Sequence, residues 1–297
     1  MSGWLILSIF SAVLLGLYDY FKKVALKENE VLPVLAGSVF ASCAVWLPFM
    51  AVSAVAPQWL PHAIFDVARL PPAHHGLLLG KALLVGASWV CGYMGISRLP
   101  LSIATPIRAT GPLWTIGLAV LCFGEAPSGK QWLGLAVILG SFFAFTFVGR
   151  GEGIHFHRDK GVFLMLGATV LGALSALYDK FLLQTASIAP GAVQAWFTLY
   201  LGLLLLPVVI PWWRKKDRRP FRWHWAVPMI GLTLLAADLL YFIAISLPDA
   251  MISLISPVRR TSVIVSLLLG ILVFREVQPL AKGLCVLGIV GGVLLLA

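Results

Sequence analysis

Pro106-Ile107-Arg108-Ala109-Thr110 returns later in the chain as Pro257-Val258-Arg259-Arg260-Thr261. Phe123-Gly124-Glu125 returns as Phe274-Arg275-Glu276, and both pairs lie 151 positions apart. Tyr18-Asp19-Tyr20-Phe21 and Tyr178-Asp179-Lys180-Phe181 repeat at 160, so the two halves differ by short insertions. Each motif sets a charged residue in or beside a long apolar segment. Charges there are costly in lipid and are kept mainly for function.

The apolar setting is general. Of 297 residues, 60% are hydrophobic and 11% charged. A soluble domain carries about 25% charged residues, so this chain is expected to be solvated by lipid. The first segment, from about Trp4, has no basic leader or small-residue cleavage site and reads as a retained spanning helix. The net charge of +10 does not call for nucleic acid. The basic residues sit mostly in short loops, which suits anionic lipid headgroups and control of topology. Cys43, Cys91, Cys122 and Cys285 stand singly in apolar segments, without metal or redox spacing, and read as small buried residues. His74-His75 and His155-x-His157 read as loop residues rather than ligands. No metal or cofactor is expected.

Ten spans are expected, at roughly 4–26, 31–54, 76–98, 101–122, 130–148, 161–184, 190–211, 223–246, 250–273 and 279–297. They are helices, because only helices or closed barrels satisfy the backbone in lipid, and the alternation of barrel strands is missing. Segment 57–75 reads as a short helix lying at the interface. The repeat breaks near 150–160, giving units 1–150 and 151–297 of five spans each. Five is odd, so the second unit enters the membrane upside down. The expected fold is an all-α integral membrane protein: ten transmembrane helices as two inverted five-helix repeats around a central cavity. Gly288 with Gly292, and Ala136 with Gly140, permit close helix contact. An intramolecular seam is the favoured reading, and a homodimer through spans five and ten is the alternative. The loops after the odd-numbered spans hold most Lys and Arg, from Lys22, Lys23 and Lys27 to Arg214–Arg222. The other set has little beyond Arg69, Lys81 and Lys130. This bias places the first set in the cytoplasm and both termini outside.

Arg108 and Asp19 each lie about seven residues inside a span end on the same side, roughly 10 Å deep. They are expected to pair, as are Asp179 and Arg259 in the inverted half. Two roles remain open: static ion pairs that pin helices, or gates and anion-binding groups on a transport path. Arginine suits carboxylate and phosphate because its donors form a rigid fork. Pro106 and Pro257 break helical hydrogen bonding near the arginines, which favours the path. Arg260 has no repeat counterpart and enlarges the positive region or snorkels to the interface. Asp238, midway in span eight and unrepeated, is a proton-coupling candidate. Lys81 is expected to snorkel. Glu125 and Glu276 are expected to cap the helix that follows each. Tyr18, Tyr178, Trp89, Tyr93 and Tyr241 are candidate pocket aromatics. No nucleophile elbow, phosphate loop or zinc signature is present in the sequence.

The chain resembles the drug/metabolite transporter superfamily in its ten-helix EamA-type form. The best-matched stretch runs from Pro106 through Gly124-Glu125-Ala126-Pro127 to Gln131-Trp132-Leu133-Gly134 and Gly140. A weaker copy runs from Pro257 through Glu276, Pro279 and Gly283 to Gly291. The resemblance implies an alternating-access carrier in the cytoplasmic (inner) membrane of a bacterium. Its cargo would be a small polar metabolite such as an amino acid or a phosphorylated or carboxylated compound, often exported with proton coupling. The adjacent Arg259 and Arg260 also resemble the paired basic residues of plastid sugar-phosphate carriers. The family usually keeps both termini in the cytoplasm, the reverse of what the loop charges imply. The rival readings are a translocator of lipid head groups or polyprenyl phosphate, a channel, and a membrane-embedded enzyme, the last disfavoured by the want of a catalytic set.

Overall fold

The computed structural model describes residues 2–67, 70–96, 98, 107–108, 110–147, 159–215, 220–262, 264–265, 268–269 and 279–296. Arg69, Pro106, Ala109, His155, His157, Phe274, Arg275 and Glu276 lie outside them, as do the side chains of Tyr93 and Cys285. Ten principal helices are described: α1 Gly3–Ala25, α2 Val31–Val55, α3 Pro72–Ile96, α4 Gly111–Phe123 and α5 Gly129–Phe147, then α6 Lys160–Lys180, α7 Pro190–Arg214, α8 Ala226–Ser246, α9 Ile252–Arg260 and α10 Pro279–Leu296. Six are long and apolar enough to cross a membrane by themselves, and Gly111–Phe123 and Leu287–Leu296 are shorter apolar helices. The chain is an integral membrane protein.

Local sequence sets the helix ends. Ser128 and Gln131 form a reciprocal capping box at the start of α5: the Ser128 N–H donates to Gln131 Oε1 at 2.9 Å, and the Gln131 N–H to Ser128 Oγ at 3.3 Å. Asp159 Oδ1 accepts the Gly161 N–H at 2.6 Å and starts α6. Gly124 ends α4 at φ +62°, a left-handed turn that glycine makes without a Cβ penalty. Beyond α6 the chain widens into a π turn over Phe181–Thr185, closed by the Ala186 N–H on the Phe181 carbonyl, and from it the Gln184 amide donates to the Ile245 carbonyl at 2.8 Å.

Helix packing shows the inverted repeat directly. A shift of five helices maps the principal interhelix contacts onto each other. α1 packs on α8 as α6 packs on α3, α2 on α8 as α7 on α3, and α1 on α9 as α6 on α4. The contacts α2–α7, α4–α9 and α5–α10 map onto themselves, as contacts lying on a two-fold axis must. The main core, including Leu5, Leu78, Ile116, Leu182, Phe242, Ile252 and Ile255, joins both repeats at one end of the bundle.

Three expectations change. The α5–α10 seam lies within one chain but uses Gly134, Ile138 and Ser141. Ala136 is exposed, and a Cβ on Gly140 would meet nothing within 4 Å. Two residues of helix turn Ala136 about 200° from Gly134. On the opposing helix a Cβ on Gly292 would lie 2.9 Å from the Gly134 carbonyl oxygen. Gly292→Val is therefore expected to destabilise the folded protein by about 1–3 kcal/mol through overpacking, read as a lower midpoint in detergent unfolding. Segment 57–75 is not one interfacial helix. Two single 3₁₀ turns, Pro57–Trp59 and Ala63–Phe65, let Phe65 stack on Phe49 with ring centroids 4.4 Å apart, and α3 starts already at Pro72. Cys122 is exposed rather than buried; Cys43 is buried as expected.

Candidate functional site

The repeats enclose a cavity of about 460 Å³. Arg108, Arg259, Arg260, Asp19, Asp179, Asp238, Tyr18, Trp89 and Tyr241 all line it. They come from six separate stretches of sequence, and inward helix faces bring them together. Tyr178 is not on the wall. It sits about 100° around α6 from Asp179, stacks on Phe181, and donates its hydroxyl to the Leu77 carbonyl at 3.1 Å.

Exposure of the charged pairs falls steadily with depth. Asp19 and Lys22, 3.9 Å apart near the C-terminal end of α1, have side chains 46% and 34% exposed. Asp238 and Arg259 come next, at 17% and 19%. Asp179 and Lys81 are innermost, at 6% and 3%. The cavity thus opens where α1 ends. Loop contacts mark the same side: Asn29 Nδ2 donates to the Arg222 carbonyl at 2.9 Å, and Trp212 Nε1 to Glu30 Oε2 at 2.6 Å.

The pairing differs from the expected scheme. Asp179 does not pair with Arg259; it holds Lys81, whose ammonium also lies 4.7 Å from the Phe197 ring centroid and 5.3 Å from that of Phe242. Lys81 is no snorkelling residue. With α3 beginning at Pro72 it lies nine residues in, roughly 14 Å along the axis. The proline pair at the helix start was the signal for this depth. Arg259 instead pairs with Asp238, which is therefore not an unpaired carboxylate. Its Nε donates to Ser11 Oγ at 3.1 Å, and its guanidinium lies 4.1 Å from the Tyr241 ring centroid. Tyr241 in turn interacts with Asp179, so the two ion pairs form one connected polar chain. Arg260 lies beside the start of α4, its Nη2 3.8 Å from where a Gly111 Cβ would be, within electrostatic reach of Arg108, Arg259 and Asp19. Asp19 forms an ion pair with Lys22, three residues further along α1.

Glu125 closes the far end. It was expected to cap the following helix, but Ser128 already holds that place. The left-handed turn at Gly124 swings the carboxylate onto the N-terminus of α9 instead. There it accepts the Ile252 and Ser253 N–H groups at 2.8 and 2.9 Å and the Lys180 ammonium at 2.5 Å. Anions are favoured at helix N-termini, and this one ties the first repeat to the second.

Further wall residues were not read from sequence: Gln194, Thr198, Ser42, Ser88 and Thr115. They are uncharged and unrepeated, and nothing in their local spacing sets them apart from packing residues.

No curated protein matches this chain. A solved crystal structure of a protein superposes with a TM-score of 0.75 at 17% identity, covering 97% of this chain and 94% of that one; it shares the fold. The sequence profile of the EamA-like transporter family matches residues 2–147 and again 159–297, nearly the full length. Two matched copies, the inverted packing and the polar cavity between them place this chain in the EamA-like transporter family, whose members are membrane transporters of small molecules.

Proposed function

We propose that the protein carries a small anionic or zwitterionic metabolite by alternating access across a bacterial cytoplasmic membrane. An amino acid or a phosphorylated or carboxylated compound fits this class. The observation that carries the reading is the charge of the wall. Lys22, Lys81, Arg108, Arg259 and Arg260 face Asp19, Asp179 and Asp238, an excess of two positive charges among the described lining residues. A cavity of 460 Å³ falls within the usual range for small-molecule sites, about 300–1,000 Å³. Its low-polarity surroundings strengthen attraction for an anion.

Arg259 is the central contact. Ser11 and Asp238 engage its Nε and Nη2, and Nη1 has no hydrogen-bond partner among the described residues. A substrate carboxylate or phosphate approaches from the cavity and competes with Asp238 for the guanidinium. A proton taken up on the Asp238 carboxylate weakens the ion pair and releases Arg259 to the substrate. Proton and substrate binding are thereby linked. The basic loops beside the mouth support a cytoplasmic opening. The opposite opening follows when the two repeats exchange shapes, which requires the Glu125 contacts to part.

The test is counterflow in proteoliposomes with a panel of carboxylates, phosphates, amino acids, and their neutral and cationic analogues. Saturable exchange confined to anionic and zwitterionic members is expected. Equal exchange of neutral or cationic analogues would reject the reading. In Asp238→Asn the carboxylate that takes the proton is gone. Exchange is expected to persist while accumulation driven by an imposed pH gradient is lost; retained gradient-driven accumulation would exclude Asp238 as the coupling residue.

A further inference from the structure

The arginine cluster accounts for one part of a ligand, and the innermost wall suggests what the other part must be. Gln194 lies on α7, four residues from its start, and lines the cavity. It is only 2% exposed, and its Oε1 is buried without a hydrogen-bond partner among the described residues. Two other buried side-chain atoms share that condition, Trp46 Nε1 and His74 Nδ1, but neither residue lines the cavity. A buried carbonyl oxygen left unpaired destabilises the fold, so it is retained against a standing penalty at a cavity wall where a ligand can relieve it.

The surroundings define that ligand. Phe197 and Thr198 lie three and four residues further along α7, on the same face as Gln194. Phe197 covers the Lys81 ammonium at 4.7 Å. Lys81 and Asp179 neutralise one another, so this end of the cavity carries no net charge. The arginines at the other end are linked to it through Tyr241. An orphan acceptor beside a neutral pair calls for a hydrogen-bond donor, and the terminal torsion of a glutamine is soft enough for its oxygen to turn toward one.

We infer that Gln194 is the specificity residue for the uncharged-wall end of the substrate: its carboxamide oxygen receives an N–H or O–H donor of the transported molecule. Combined with the anion-binding reading above, on which this part rests, the cargo is a bifunctional molecule. It carries an acidic group for the arginines and an amine, amide or hydroxyl for Gln194. A site built to accept a donor discriminates strongly against analogues that lack one, because the oxygen is then left unpaired.

Three series measure this on the purified full-length protein: plain alkanoates from butanoate to octanoate, the matching ω-hydroxy and ω-amino acids, and α,ω-diols of the same lengths. Thermal stabilisation at graded concentrations gives affinities. In the wild type, the donor-bearing acids of fitting length are expected to bind about tenfold tighter than plain alkanoates, the factor for a 1.4 kcal/mol hydrogen bond. In Gln194→Leu that preference is expected to vanish while plain alkanoates bind as before. The same variant without ligand is expected to melt at a higher temperature than wild type, since the unpaired polar group is gone. A purely structural glutamine would give the reverse, a lower melting temperature with unchanged preference, and that outcome overturns the inference, as does any retained donor preference in Gln194→Leu. Gln194→Glu is expected to favour ω-amino over ω-hydroxy acids, and a failure to do so also counts against it. The diols separate the two readings. Diol binding that is lost in Gln194→Leu, with no binding by any alkanoate, sustains the Gln194 assignment and refutes the anion site.

Discussion

Replacing Asp179 with Asn is expected to cost the folded protein about 3–5 kcal/mol, the usual penalty for removing one partner of a buried ion pair. Lys81 is 3% exposed and enclosed by Asp179, Phe197 and Phe242. The two rings attract its charge by cation–π contact, but neither can replace a carboxylate. Lys81→Met should be comparably harmful, because it strands Asp179 beside Tyr241. The double variant Lys81→Met/Asp179→Leu removes both charges and fills the space, and such replacements of buried pairs are often neutral or stabilising. Recovery to within about 1 kcal/mol of wild type is expected, measured by denaturant titration in detergent micelles. Transport then decides the role of the pair. A static clasp predicts that the recovered double variant carries substrate normally. A place in the path predicts a stable protein with little transport, and that is the outcome expected from the connection of Asp179 through Tyr241 to Arg259.

The spans could be read from sequence because lipid leaves the backbone so few choices. Long apolar runs must be helices, and ten expected spans correspond to ten principal helices, with most ends displaced by a few residues. As described, α4 starts at Gly111 rather than about 101 and α9 stops at Arg260 rather than about 273, but the smaller shift of α3, which starts at Pro72 rather than about 76, had the larger consequence. It moved Lys81 from an assumed interface position to the floor of the cavity. The repeated motifs located Arg108, Arg259, Asp19 and Asp179 on a common wall. They did not reveal which acid meets which base, because partner choice depends on helix rotation and on which third helix intervenes. Asp238, unrepeated and assumed to stand apart, took the partner assigned to Asp179. Tyr178 shows the same limit on a smaller scale: one residue from Asp179 in sequence, it faces α3 instead of the cavity. Gln194 carries neither charge nor repeat, and only the finding that its oxygen lacks a partner singles it out.

Arg259→Gln is expected to lower substrate affinity by at least about 100-fold. Hydrogen bonds to charged groups contribute about 1.5–3 kcal/mol each, and a forked contact to a carboxylate or phosphate contains two. Glutamine keeps a donor amide but loses both the charge and the fork. The fold should survive, because the site is partly exposed to the cavity, and Arg259 and Asp238 are 19% and 17% exposed. The variant does leave Asp238 without its cation, so loss of binding alone would be ambiguous. Arg259→Gln combined with Asp238→Asn restores a neutral, hydrogen-bonding pair at that position. If the double variant melts like wild type and still fails to bind, the loss belongs to the arginine. Arg259→Lys separates charge from geometry: a lysine supplies one positive point and no fork, so affinity between those of wild type and the glutamine variant is expected. Wild-type affinity in Arg259→Gln would leave the cationic wall without a role in recognition. The two surplus positive charges would then have to be explained by contact with lipid headgroups at the mouth.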